Sequence, residues 1–121
     1  MKAKDKSEKE HIKLRFAVAL NKVLADSKLS SFRSLALDSG LEPAHIQRIT
    51  AGKVDAALTT IVAISEGFNI PLAKISSYYD DVTDKDVREY IKMKEEERKK
   101  RAKKNVKKKV VERKAQSNRD H

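Results

Sequence analysis

The chain has 121 residues, no cysteine and a formal net charge of +10. That length allows one domain and a tail, the lack of cysteine excludes disulfides and thiolate chemistry while a reducing cytosol stays compatible, and no apolar run approaches the ~18 residues of a membrane span. The three histidines, His11, His45 and His121, lie far apart and no pair has metal-ligand spacing, so no metal site and no cofactor are expected.

Residues 1–10, MKAKDKSEKE, are charged and lack both apolar periodicity and the apolar stretch of a secretory signal; they read as a flexible N-terminal segment of a cytoplasmic protein. From His11 to Ser27, the residues Ile12, Phe16, Leu20, Val23 and Leu24 recur at spacings of three and four, the period of one buried helix face. Lys28 to Ser31 is a polar break. Ser31 stands where a hydroxyl accepts from the first free amides of the next helix, expected over Phe32–Ser39 and ended by Gly40, which tolerates the left-handed conformation of a helix stop. Leu41 and Glu42 leave only a tight turn. Pro43 then opens a third helix, since its missing N–H has no helical partner at that position. This helix, about Pro43 to Ala51, turns Ile46 and Ile49 inward and stops at Gly52. Asp55 is the candidate cap of a fourth helix, about Ala57 to Gly67, with Leu58, Ile61, Val62, Ala63 and Ile64 as its apolar positions and Asn69 ending it. Pro71 opens a fifth, through about Tyr78, that buries Leu72 and Ile75. Period-two alternation and Asn-Gly or Asp-Gly hairpins are absent, so residues 11–79 are expected to be all-α, a bundle of five helices.

Residues 80–121 read as an acidic hinge and a Lys/Arg-rich tail. Asp80 to Asp86 is acidic and turn-prone, and beyond it good helix formers carry few apolar residues: Val87, Ile91, Ala102, Val106 and Val110. From Arg98 to the end there are 12 Lys/Arg against 2 acids, whereas residues 1–97 hold 16 of each. The basicity therefore belongs to a tail on an electrically balanced body, which favours a polyanionic partner, nucleic acid before membrane. The stripe of Ala102, Val106 and Val110 is too thin for a coiled coil and its like-charged surroundings repel. The tail is expected to be partly helical and fluctuating, ordering on a partner; the plain alternative is a solubilising extension.

The informative stretch is Leu35-Ala36, Gly40-Leu41, Ile46, Ile49 and Gly52. Ala36 is small enough for two helices to approach closely, Gly40 supplies the turn, and Leu35, Leu41, Ile46 and Ile49 form an inner wedge that holds a steep crossing. The outer side of the second helix is then free to lie in a DNA major groove. Here the text FRSLALDSGLEPAHIQRITAGK, followed by LTTIVAISEGFNIPLAKI, resembles the Cro and lambda-repressor (xenobiotic-response-element) type of helix-turn-helix protein. The resemblance covers about residues 11–77 and neither tail. It implies a five-helix, lambda-repressor-like DNA-binding domain that reads duplex DNA, often as a homodimer.

Carried over by position, the resemblance implies that Pro43, Ala44 and, one turn on, Arg48 face base edges. It also implies that His45 and Gln47 reach bases or phosphates, that Phe32 and Arg33 approach a phosphate at a helix N-terminus, and that Lys53 touches the backbone. By chemistry, Arg48 is the strongest of these, because a guanidinium can donate two hydrogen bonds to guanine. Gln47 suits adenine, Pro43 and Ala44 suit a thymine methyl, and His45 donates to phosphate more strongly when protonated. Lys99, Lys100, Arg101, Lys103, Lys104, Lys107, Lys108 and Lys109 are candidate phosphate contacts of the tail. Two departures stand out. Family members often carry Gln where Phe32 stands. Many also pair an Arg of the first helix with a Glu before the stop glycine, where this chain has Ala25 and Thr50, so both partners are absent together and no charge is left unpaired.

No catalytic residue is expected: His45 lacks a carboxylate nearby in sequence, and there is no nucleophile pattern or phosphate loop. Tyr78 and Tyr79 read as packing or cap residues. The expected function is sequence-specific binding of double-stranded DNA as a bacterial or phage transcriptional regulator of the cytoplasm, associated with the nucleoid. Three rivals stay open: an antitoxin-like interaction module with a toxin as protein partner that also binds DNA, an architectural protein that binds DNA by charge alone, and an RNA-binding role, because a tail of this kind binds any polyanion. Membrane partners are not expected.

Overall fold

A computed structural model describes the backbone of residues 6–119 and the side-chain environment of residues 7–103. It contains six helices: α1 (Lys6–Asp26), α2 (Phe32–Ser39), α3 (Pro43–Thr50), α4 (Leu58–Gly67), α5 (Leu72–Asp81) and α6 (Asp84–Arg119). No strand occurs among the described residues, and none of the described helices is long and apolar enough to cross a membrane. The chain divides into two compact units, 1–87 and 88–121.

In the first unit α1 packs on α3 and α5, α2 packs on α3 and α4, and α4 packs on α5. The fully buried side chains Leu20, Leu35, Ile46, Ile49, Ile64 and Ile75 lie at the centre, and each contributes roughly 1.5–3 kcal/mol by leaving water. Phe16, Leu24, Leu29, Leu41, Ile61 and Ile70 close the core from its edges. Gly67 sits where α4 meets α2: a Cβ there would lie 2.8 Å from Leu35 Cδ1 and 3.1 Å from Ser39 Cβ. Absence of a side chain sets how closely these two helices approach.

The helix ends follow local chemistry. Ser31 Oγ accepts from Ser34 N at 3.2 Å and caps α2. Gly40 takes φ +72° and Gly52 φ +74°, each in the left-handed region that a Cβ disfavours. Pro43 is the first residue of α3, and Asn69, at φ +58°, turns the chain out of α4.

Several boundaries differ from the sequence reading. α1 begins at Lys6, so residues 6–10 are helical rather than loose; Glu8 in its first turn complements the helix dipole and Lys13 pairs with Glu10 at 3.1 Å. Asp55 does not cap α4. Ala57 holds that position, with no side-chain cap, and Asp55 lies two residues too early to reach the free amides. Leu72 is exposed, not buried, because it sits in the first turn of α5. The acidic stretch is mostly helix: α5 continues to Asp81, and only Val82 and Thr83 separate it from α6. Arg15 makes that extension favourable. Its Nε donates to Tyr79 O at 2.9 Å and its Nη2 to Asp80 O at 3.0 Å, with the guanidinium 5.0 Å from the Tyr79 ring centre. The tail, expected to be partly helical, is helical from Asp84 through Arg119.

Two further polar clasps start from α1. Tyr78 OH donates to Asp26 Oδ2 at 2.6 Å, and this bond, followed by burial and the Asp26 charge, raises the phenol above its ordinary range. Thr83 and Asp86 form a reciprocal cap at the start of α6: Asp86 N donates to Thr83 Oγ1 at 3.1 Å, and Thr83 N donates to Asp86 Oδ2 at 3.0 Å. Lys22 of α1 donates to the same Oδ2 at 2.7 Å.

The Lys22 hydrogen bond, then the Thr83 amide, lower Asp86 from 3.8 to about 2. A depressed carboxylate stabilises the fold above its unfolded value of 3.8 and loses that contribution as pH falls through about 2. Asp86→Ala should therefore lower Tm at pH 7, and the gap to wild type should close between pH 4 and 2 in a thermal-melt series. Arg15→Met should cost about 1–3 kcal/mol in urea denaturation, since it strips hydrogen bonds from two carbonyls at the α5 end.

Candidate nucleic-acid interface

The α2–turn–α3 segment divides sharply into two sides. Leu35 and Ala36 of α2, and Ile46, Ile49 and Thr50 of α3, are buried. Helical spacing then leaves Pro43, Ala44, Gln47 and Arg48 exposed on α3, with His45 half-buried beside them. The Thr50 hydroxyl donates within its own helix, 3.0 Å from Ile46 O and 3.2 Å from Gln47 O. Asn21 of α1 donates Nδ2 to Ala17 O at 2.8 Å and reaches Thr50 O at 3.5 Å. The neutral tie between α1 and the end of α3 thus comes from Asn21. Ala25, one turn later on α1, is exposed.

The other candidates fall as follows. Arg33 is exposed in the first turn of α2, and Lys53 is exposed just after α3. Phe32 is half-buried and packs against the core, so it serves as a packing residue of α2 rather than as a polar anchor. Lys99, Lys100, Arg101 and Lys103 are exposed on α6, in the second unit. Lys104, Lys107, Lys108 and Lys109 lie outside the residues whose side chains are described.

One feature escaped sequence reasoning. Leu37 is 78% exposed and Leu58 is 67% exposed, the most open of the large apolar side chains among the described residues. The spacing held the signal for Leu37: it comes two residues after Leu35 and cannot share the inward face of a helix. The charge of the α2–turn–α3 segment is balanced, in keeping with the balanced body read from the sequence. Between residues 31 and 55 the exposed cations Arg33, Arg48 and Lys53 meet the exposed acids Asp38, Glu42 and Asp55. This face offers hydrogen-bonding groups and apolar surface but little net attraction for a phosphate backbone.

Neither a protein-family model, nor a curated protein, nor a solved structure matches this chain.

Phe32→Gln separates packing from contact. A packing role predicts a loss of about 1–2 kcal/mol in chemical denaturation, less than full burial would give. Arg33→Gln, at the neighbouring exposed position, should leave the midpoint unchanged.

Proposed function

We propose that the protein binds duplex DNA in a sequence-specific way and acts as a transcriptional regulator, with a lambda-repressor-like helix-turn-helix at Phe32 to Thr50. The observation that carries the reading is the pair of eight-residue helices, α2 and α3, joined over Gly40–Glu42, whose inward faces are buried while α3 keeps Pro43, Ala44, Gln47 and Arg48 free. A helix held from behind and open along its outer side is what insertion into a major groove requires. Arg48 is the main specificity contact and Gln47 the second, because each can make paired hydrogen bonds to a purine edge. Phosphate contacts from α6 add affinity without sequence information.

The charge distribution supports this division. Residues 1–87 hold 13 Lys/Arg and 12 acids, a net +1, whereas residues 88–121 hold 15 and 6, a net +9. The same distribution favours one rival, binding by charge alone, since Pro43 and Ala44 donate no side-chain hydrogen bonds. The reading includes no enzymatic activity and assigns no cofactor.

Selection of sites from a random duplex pool at about 150 mM salt tests the proposal. Wild type should enrich a motif, and Arg48→Ala should lose information at one base pair, at a cost of about 1–3 kcal/mol against the preferred site. Binding with no enriched motif would leave charge-only binding as the function.

A further inference from the structure

We infer that the cationic stretch of α6 docks in the major groove of B-form DNA as an already formed helix, touching phosphates on both walls of the groove. The inference rests on the DNA-binding reading above and adds how the second unit engages the duplex.

The argument starts from where the cations sit. Arg98, Lys99, Lys100, Arg101 and Lys103 are all exposed and all lie within α6. At about 100° per residue, they project at roughly 0°, 100°, 200°, 300° and 140° around the axis. They encircle the helix instead of forming one charged face. Ala102 is the only apolar residue among positions 98–103, so this stretch has no apolar side with which to enter a membrane surface.

Shape then selects among polyanions. A helix with a single cationic face is matched by the outside of one strand. A helix that is cationic all round is matched by a trough with phosphates on both sides. The B-DNA major groove is about 12 Å wide, and a helix with its side chains measures about 10–12 Å across. The corresponding groove of an RNA duplex is deep and narrow and does not admit a helix readily.

The helix is supported from within its own sequence. Glu95, Glu96 and Glu97 each have a cation four residues on, at Lys99, Lys100 and Arg101. Acid before base at this spacing is the favourable order in an isolated helix. Lys94 adds an i,i+3 pair with Glu97 at 3.6 Å. A helix already formed leaves a smaller ordering cost for the moment of binding than a segment that folds on its partner.

The test uses the full chain, a mixed-sequence DNA duplex, an RNA duplex of the same sequence, and the DNA duplex with its major groove filled by glucosylated hydroxymethylcytosine. Binding is measured against salt, with helicity followed by circular dichroism. The expected result is DNA bound at least roughly tenfold tighter than RNA, a similar loss on the filled groove, and no gain of helicity on binding. The variant Lys99→Gln/Lys100→Gln/Arg101→Gln/Lys103→Gln keeps good helix formers and should lower the salt slope by about 3–4 for four lost phosphate contacts. Equal binding to RNA, indifference to the filled groove, or a large gain of helicity overturns the inference. A variant with undiminished affinity, beside an Arg48→Ala protein that loses its motif, also overturns it while leaving sequence reading by α3 standing. Failure of the wild type to bind any DNA duplex at low salt removes both.

Discussion

Helices of eight residues do not persist in water on their own, because the cost of nucleation exceeds what two turns of hydrogen bonds return. Both α2 and α3 are of this length. Their geometry is therefore borrowed from the core they share, in which Leu35 and Ala36 from one and Ile46 and Ile49 from the other meet Leu20, Ile64 and Phe68. Everything the exposed side of α3 can do depends on that burial. The bare Gly67 backbone against Leu35 sets how deeply α2 seats, and through α2 it sets the platform for the turn at Gly40.

Around this apolar centre, α1 works as a polar clamp. Its Arg15 holds the carbonyl end of α5, its Asp26 accepts the Tyr78 hydroxyl, its Lys22 holds the cap of α6, and its Asn21 reaches the last carbonyl of α3. These bonds are partly exposed and individually modest. Their value lies in direction: together they hold the end of α5, the start of α6 and the end of α3, and those from Arg15 and Asn21 reach carbonyls of the last turns. The clamp leaves the outer side of α3 untouched and the overall charge of the first unit near zero.

Much of this was legible because the decisive signals are local. Ser31, Gly40, Pro43 and Asn69 each act through their own backbone or that of residues within one turn, and all four stand where their chemistry predicted. The burial of Leu20, Leu35, Ile46, Ile49 and Ile75 follows from helical spacing alone. What was missed depends on partners distant in sequence. The extension of α5 to Asp81 needs Arg15, which lies 64 residues from Tyr79. The cap at Thr83 is the exception: its Thr-x-x-Asp spacing is local and legible, and only its tie to Lys22 needs the fold. Only packing brings Asn21 to the Thr50 carbonyl, 29 residues away. For the candidate interface, periodicity identified the open positions of α3, whereas the half-buried state of Phe32 depends on the surrounding core. The docking function itself stays a proposal drawn from these positions.

The placement of the aromatic hydroxyls gives the molecule an optical character of its own. There is no tryptophan, and the three tyrosines are Tyr78, Tyr79 and Tyr90. Each lies beside a cation: Lys74 over Tyr78, Arg15 over Tyr79 and Lys94 over Tyr90. None belongs to α2 or α3. Ultraviolet emission from this protein therefore reports on the α1–α5 seam and the first turns of α6, without tryptophan to mask it. It is silent about events at the outer side of α3, so a change in tyrosine signal when a ligand is added registers a response of the scaffold and not the contact at the recognition helix.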